Sequence, residues 1–333
     1  MFTNQDFTHN RANFLGGSDI GAIVGVSPYR SAIDVWLEKT DKAVRTTDGF
    51  ALRFGSFAES FIAEEFAKVT GSVLAIHEAG IVHPKHPFCV GHIDRFVLER
   101  KDEPLFVDGK LNAKSLLECK TANIFSQKDW GEPGTDAVPL PYLCQCLWYL
   151  GIAGLSKIDV AVLMGGMELK IYTIERDESL INLLFEKAVF FWEEYVQKDI
   201  PPQPQSVSDC QALFAKGSSG KAIEADAKTL CLIQTLKELQ QKDQANGEEI
   251  EAIKQQLMQT MADAEVLTYA GKSLITWKSP KPSYRIDTKR LNFEHPELTQ
   301  HYQTLVQSSR RFVVRDVELN HLQAPIQRTP ISN

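Results

Sequence analysis

The apolar positions of this 333-residue chain change their period from segment to segment, and each period predicts an element. In "RFGSFAESFIAEEFAKVTG", Phe54, Phe57, Ala58, Phe61, Ile62, Phe66 and Val69 recur at helical spacing and stop at Gly71, which predicts an amphipathic helix packed on a core. "HPFCVGHIDRFVLER" alternates instead, and predicts a strand with Phe88, Val90, His92, Asp94, Phe96 and Leu98 on one face. A second strand, "SLLECKTA", sets Leu116, Glu118 and Lys120 on one face and Leu117 and Cys119 on the other. Between them lies a polar stretch, Glu99 to Lys114, with Pro104 and an Asp108-Gly109 turn pair, so the two strands read as antiparallel partners joined by a long loop. "PLPYLCQCLWYLGIAGL" is a buried helix with Pro141 at its start and one polar residue, Gln145. Two further strands, "KIDVAVLMGG" and "ELKIYTIER", meet at Gly165-Gly166, and an amphipathic helix follows until Pro201 and Pro202 halt it. Near the start, "FLGGSDIGAIVGVSPYRSAIDVWLEKT" reads as two short helices beginning at Ser18 and Ser31. This order fits an α/β domain, a mixed sheet flanked by helices.

The pattern changes near Ser206. From Ile223 to Ala264 the chain is polar with a thin apolar stripe, interrupted at Asn246-Gly247, which suggests a helical hairpin or one kinked long helix with coiled-coil packing open to it. "VLTYAGKSLITWK" then predicts a β-hairpin around Ala270-Gly271. The expected division is a domain over 1–205 and a C-terminal extension over 206–333, consistent with a length above that of one compact domain.

Charge narrows the function classes. The chain has 36 basic and 43 acidic residues, which argues against coating nucleic acid by bulk positive charge and leaves room only for local contacts. Residues 266–333 depart from this, with ten Lys and Arg against five acids. Basic residues with Trp277 and Tyr284 there suit either a strand-tracking surface or a scaffold arm. Six cysteines lack zinc-ribbon or disulfide spacing, so a reduced setting is expected, with Cys144 and Cys146 as packing residues. No signal peptide or membrane span is read, and a soluble, cytoplasmic protein of a bacterial or phage-infected cell is expected.

The chemistry begins with Glu118 and Lys120. Short motifs of this kind are often no more than an edge-strand ion pair. If the two strands are neighbours, however, Asp94 joins them on one face. Two carboxylates held close repel, and a divalent cation relieves that repulsion. Magnesium suits one or two carboxylates plus waters and phosphate oxygens.

Asp94 with Glu118-Cys119-Lys120 resembles the PD-(D/E)xK nuclease core. The flanks narrow the resemblance to YqaJ-type viral recombinases, relatives of lambda exonuclease. They are "GGSDIGAIVGVSPY", "FGSFAESFIAEEFAKVTG", "GHIDR" and the glutamine on the helix after the Glu-x-Lys strand, together spanning about residues 11–204. The resemblance implies a restriction-endonuclease-like fold and a Mg²⁺-dependent deoxyribonuclease, with Mn²⁺ able to substitute. Asp94, Glu118 and the backbone carbonyl of Cys119 would hold metal, with Glu59 as an additional acid. Lys120 would position and activate the water, and Gln145 would hydrogen-bond around that lysine. Arg11 and Ser18 would receive the 5′ phosphate of a DNA end; His92 reads as a structural histidine. The implied activity is 5′ to 3′ resection of duplex ends for phage-type recombination, by a homo-oligomer that is trimeric if it is lambda exonuclease-like, and the partner the resemblance implies is a single-strand annealing protein. The alternatives are an endonuclease using the same site and, further off, a non-catalytic DNA-binding recombination partner. The long stretch between the core acids and the C-terminal third lie outside what the resemblance accounts for.

Overall fold

The computed structural model describes residues 11–43, 49–303 and 310–315. Asp316, Glu318 and Arg328, counted above in the basic C-terminal stretch, lie outside the described residues. The chain divides into two compact units, Met1–Phe214 and Ala215–Asn333.

The first unit is built on a five-stranded mixed sheet. Helices α1 (Gly17–Ile23), α2 (Ala32–Lys39) and α3 (Phe50–Thr70) precede β1 (Val73–Ala75), β2 (Ile81–Val82), β3 (Val90–Gly91) and β4 (Arg95–Leu98). A small hairpin, β5 (Phe106–Val107) and β6 (Lys110–Leu111), leads into β7 (Ser115–Ala122). Helix α4 (Leu140–Ala153) connects to β8 (Lys157–Met164), β9 (Glu168–Glu175) and α5 (Glu178–Phe190), which runs into a π-helical turn over Phe191–Val196. Helix α6 (Val207–Leu213) closes the unit and packs on α2, so the division falls after Phe214 rather than at 205.

The strand order is β1-β4-β7-β8-β9, with β7 and β8 parallel and the other neighbours antiparallel. The parallel pair needs a crossover, and α4 supplies it. Leu116, Val160, Val162 and Tyr172 share a core with Leu147 and Trp148 of α4 and Phe185 of α5. Leu117, Cys119, Ala161 and Leu163 share a second core with Ala58, Ile62, Ala63 and Phe66 of α3. The sheet is therefore covered by helices on both faces, and its central strands are largely buried, as strands in two-sided sheets are.

Two expectations are corrected here. The strand expected from Phe88 to Leu98 is broken into β3, which pairs with β2, and β4, which pairs with β1 and β7. The helix α3 buries Ala58, Ile62 and Phe66, yet leaves Phe54, Phe57 and Phe61 exposed. The residues four apart make one narrow face against the sheet, and the phenylalanines lie on its flank.

In the second unit the segment expected as a helical hairpin or one kinked long helix is a single helix, α7 (Ala227–Met261). Asp226 caps it by accepting from the Thr229 amide. A glycine inside a helix costs only about 1 kcal/mol relative to alanine, so Asn246-Gly247 does not break a segment otherwise rich in Gln, Glu, Lys, Leu and Ala. The hairpin β10 (Val266–Tyr269) and β11 (Lys272–Thr276) follows, then α8 (Thr288–Glu294) and α9 (Pro296–His301). Its turn residues Ala270 and Gly271 have φ of 49° and 76°, the positive pair that a two-residue type I′ hairpin turn requires. Among the described residues no helix is long and apolar enough to cross a membrane.

Candidate active site

The site forms where β4 meets β7. Their register pairs Phe96 with Leu116 and Arg95 with Leu117. At the next position the ladder gives way to a side chain: Asp94 Oδ2 accepts the Cys119 amide at 2.8 Å. This bond explains the break before β4, because the carboxylate takes the donor that a continuing strand would have offered to backbone. It also ties the first acid to the peptide between Glu118 and Lys120. The Cys119 amide is thus held by the first acid.

Glu118 lies in the middle of the central strand and is only 2 % exposed. Its Oε1 accepts from Gln145 Nε2 at 2.7 Å and from Lys120 Nζ. Its Oε2 is buried with no hydrogen-bond partner. Gln145 also donates to Tyr149 Oη at 2.9 Å, so one helix turn of α4 fixes the glutamine between carboxylate and phenol. The expected partner of Gln145 was Lys120; its donor instead meets the glutamate oxygen that the lysine shares.

Burial first, then the charge of Asp94, pushes Glu118 up to about 8. Asp94 is likewise raised by burial against the opposing pull of Lys120, with Glu59 adding to the rise. Burial alone would lower Lys120, but Glu118 and Asp94 outweigh it and hold the lysine above its usual value, as an ammonium. Its Nζ lies 5.3 Å from the centre of the Tyr142 ring.

An orphaned carboxylate oxygen beside a second, half-buried carboxylate is an uncompensated arrangement that a cation would complete. Among the described residues there is no group of three or more His, Cys, Asp or Glu that could hold a metal ion. Two carboxylates with open positions nevertheless fit magnesium, which keeps waters and substrate oxygens in its shell. Glu59, whose charge acts on both Asp94 and Glu118, accepts at Oε1 from Arg95 at 2.5 Å, and Arg95 also donates to the Asp94 carbonyl at 2.6 Å. It therefore braces the backbone of Asp94 through Arg95. His92 is exposed.

Arg11 and Ser18 do come together, with Arg11 Nη2 donating to Ser18 Oγ at 3.3 Å. Helix α1 starts one residue before Ser18, capped at Gly16, whose amide donates to Asp19. Beneath this pair lies an ion network that the sequence reading missed. Arg30 reaches Asp19 at 2.9 Å and Glu38 at 2.6 Å, and Lys39 reaches Asp19 at 3.0 Å. Arg11 contacts Glu38 at 3.3 Å. Burial works to raise Asp19, but Lys39, Arg11, Arg30 and the Gly16 amide outweigh it and hold the carboxyl well below its usual range. Three cations over two acids leave this cluster one positive charge in excess. The only sequence signal for Asp19 is an acid three residues after a helix cap; nothing in the spacing marks Arg30, Glu38 or Lys39. Tyr149, four residues after Gln145 on one helix face, was legible by the same periodicity that placed the glutamine.

Gly17 joins the two clusters. A Cβ there would lie 2.7 Å from the Tyr149 ring and 3.1 Å from Gln145 Cγ, so only glycine lets α1 approach α4 at the residues that hold Glu118.

Comparison with known proteins gives the following matches. The model of the YqaJ-like viral recombinase domain matches residues 6–156. The uncharacterized protein YqaJ of Bacillus subtilis (strain 168) is 30 % identical over 327 residues, 95 % of each chain. Among solved structures, an alkaline exonuclease from Laribacter hongkongensis is similar at 16 % identity and a TM-score of 0.44, covering 57 % of this chain and 91 % of that one. A phage-related exonuclease from Haemophilus somnus 129PT is similar at 12 % identity and a TM-score of 0.41, covering 56 % and 95 %.

Proposed function

This chain belongs to the YqaJ-like viral recombinase family, and from that premise we propose that it is a magnesium-dependent deoxyribonuclease that resects duplex DNA ends 5′ to 3′. The observation that carries the reading is the buried Glu118 carboxylate, with one oxygen lacking any partner, set beside Asp94 and Lys120.

Asp94 and Glu118 are the residues that would hold the ion; when bound, magnesium supplies Lewis acidity toward the scissile phosphate and its attacking water. Lys120 keeps its proton and places a positive charge where negative charge develops on phosphate, while its N–H groups can orient the incoming water. Gln145 fixes the rotamer of Glu118 through Oε1, which leaves Oε2 for the cation. Arg95 holds the Asp94 backbone, so the two carboxylates keep their separation when neither is neutralised. The excess cation at Arg11, with the Ser18 hydroxyl, suits a terminal 5′ phosphate, because guanidinium binds phosphate through two parallel N–H groups. Resection of this polarity leaves a 3′ single strand, the substrate class of a strand-annealing partner.

The test is a cleavage time course on linear duplexes that differ only in 5′ phosphorylation, with closed circular duplex beside them. Phosphorylated ends should be preferred by about 10-fold or more, the equivalent of one hydrogen bond to a charged group, and Arg11→Ala should erase most of that preference. Nicking of the circle as fast as loss of the linear duplex would replace end resection with endonuclease action.

A further inference from the structure

Helix α7 displays large aliphatic side chains on one face of its long helix. Leu232, Leu239, Ile250 and Ile253 are 61, 57, 51 and 50 % exposed. With Leu236 and Leu257 they occupy alternating a and d positions of one heptad frame running through the helix. That seam is interrupted once, near its centre, by Asp243 at a and Asn246 at d.

We propose that α7 pairs with α7 of a second copy of this chain as an antiparallel coiled coil, about a two-fold axis between Gln244 and Ala245. In an antiparallel pair each a residue faces a d residue across the seam. About this axis Leu232 faces the partner's Leu257, Leu236 the partner's Ile253 and Leu239 the partner's Ile250. Asp243 then faces the partner's Asn246, whose amide donates to the carboxylate, and the outermost layer sets Thr229 against the partner's Thr260. Apolar meets apolar and polar meets polar in every layer.

The competing arrangements fail on the same residues. Parallel pairing would stack Asp243 on its own copy, two like charges in a seam losing its water. Sliding the antiparallel pair by one heptad would set Asp243 against Ile253 or Leu239, leaving a desolvated carboxylate without a donor. The flanks agree, since Lys242 faces the partner's Glu249 at both ends of the central layers. A groove of about 490 Å³ beside Leu232 and Leu236, walled also by Phe312 and Val313, offers room for the partner's Leu257 and Ile253. The interface is isologous, so the pairing closes as a dimer of arms.

Sedimentation equilibrium of the full chain tests this. The double variant Ile250→Asp/Ile253→Asp should halve the number of chains per particle, whatever further assembly the first unit makes. Circular dichroism should show the helix retained, because both side chains are exposed. Lys242→Glu or Glu249→Lys alone should each weaken association about 3- to 10-fold, and the two together should restore it. In a parallel pair Glu249 would face the partner's Lys254 and Lys242 the partner's Gly247, so no rescue would occur. An unchanged particle mass in the aspartate variant, or a charge exchange that fails to rescue, would overturn the proposal.

Discussion

Glu118 shows how a single side chain combines fold and chemistry. Its neighbours on β7 are apolar, and a carboxylate in that row is costly unless its charge is compensated. Lys120 and Gln145 compensate one oxygen only. Because folding raises its pKa from 4.5 to about 8, the protonated form is the one the fold favours. Its contribution to stability is therefore fully present below about pH 4.5 and is lost as pH rises through about 8. Asp94 moves in the same direction. In a chelator, the melting temperature should fall between pH 5 and pH 9, and magnesium should restore most of the loss at the alkaline end. Glu118→Gln should flatten that fall and remove the response to magnesium; a melting profile identical to the wild type with and without the ion would contradict the assignment. Lys120 separates from its neighbours by role. Lys120→Ala should lower turnover by about 10²- to 10³-fold, the usual effect of removing one preorganised positive donor, while calorimetry still detects magnesium binding.

At the scale of elements, much of the arrangement was legible because periodicity and turn chemistry agreed. The turn pairs Asp108-Gly109, Gly165-Gly166 and Ala270-Gly271 all have positive φ at both residues; the last two join antiparallel strands as read, whereas Asp108-Gly109, read as part of a long loop, turns the small hairpin of β5 and β6. Alternation placed Glu118 and Lys120 together, and helical spacing placed Gln145 in a buried helix. What periodicity could not carry was a side chain that substitutes for backbone. Asp94 takes the Cys119 amide, so the strand breaks where the alternating pattern runs on. Nor could it say which face of α3 the sheet would cover, since phenylalanine recurs on two faces at helical spacing. Ser18 marked a helix entry, but the close approach of α4 to Gly17 beside it depends on tertiary packing. Gly17→Ala should cost about 1–3 kcal/mol as the ring of Tyr149 is displaced, measured by denaturant unfolding, and should lower cleavage through Gln145. Wild-type stability and turnover in this variant would mean that the contact between α1 and α4 does not position the site.

For the whole molecule, the acidic balance and the local cluster of cations are compatible because each cation is placed by ion pairs within its own site. Arg11, Arg30 and Lys39 are held by Asp19 and Glu38, and Lys120 by Glu118. Family membership and the core motif were readable from residues 11–204, where four segments recur in order. The ion network under Arg11 was not, because its members are joined only by tertiary packing. The C-terminal unit was read by composition, which located its helix and hairpin but left one helix or two undecided. The central claim is that Asp94 and Glu118 form the hydrolytic centre. Magnesium-dependent digestion of linear duplex by the wild type and by Asp94→Asn, with DNA binding measured in parallel, tests it most directly. Cleavage should be abolished in the variant while binding is retained; near-normal turnover in Asp94→Asn would contradict the assignment.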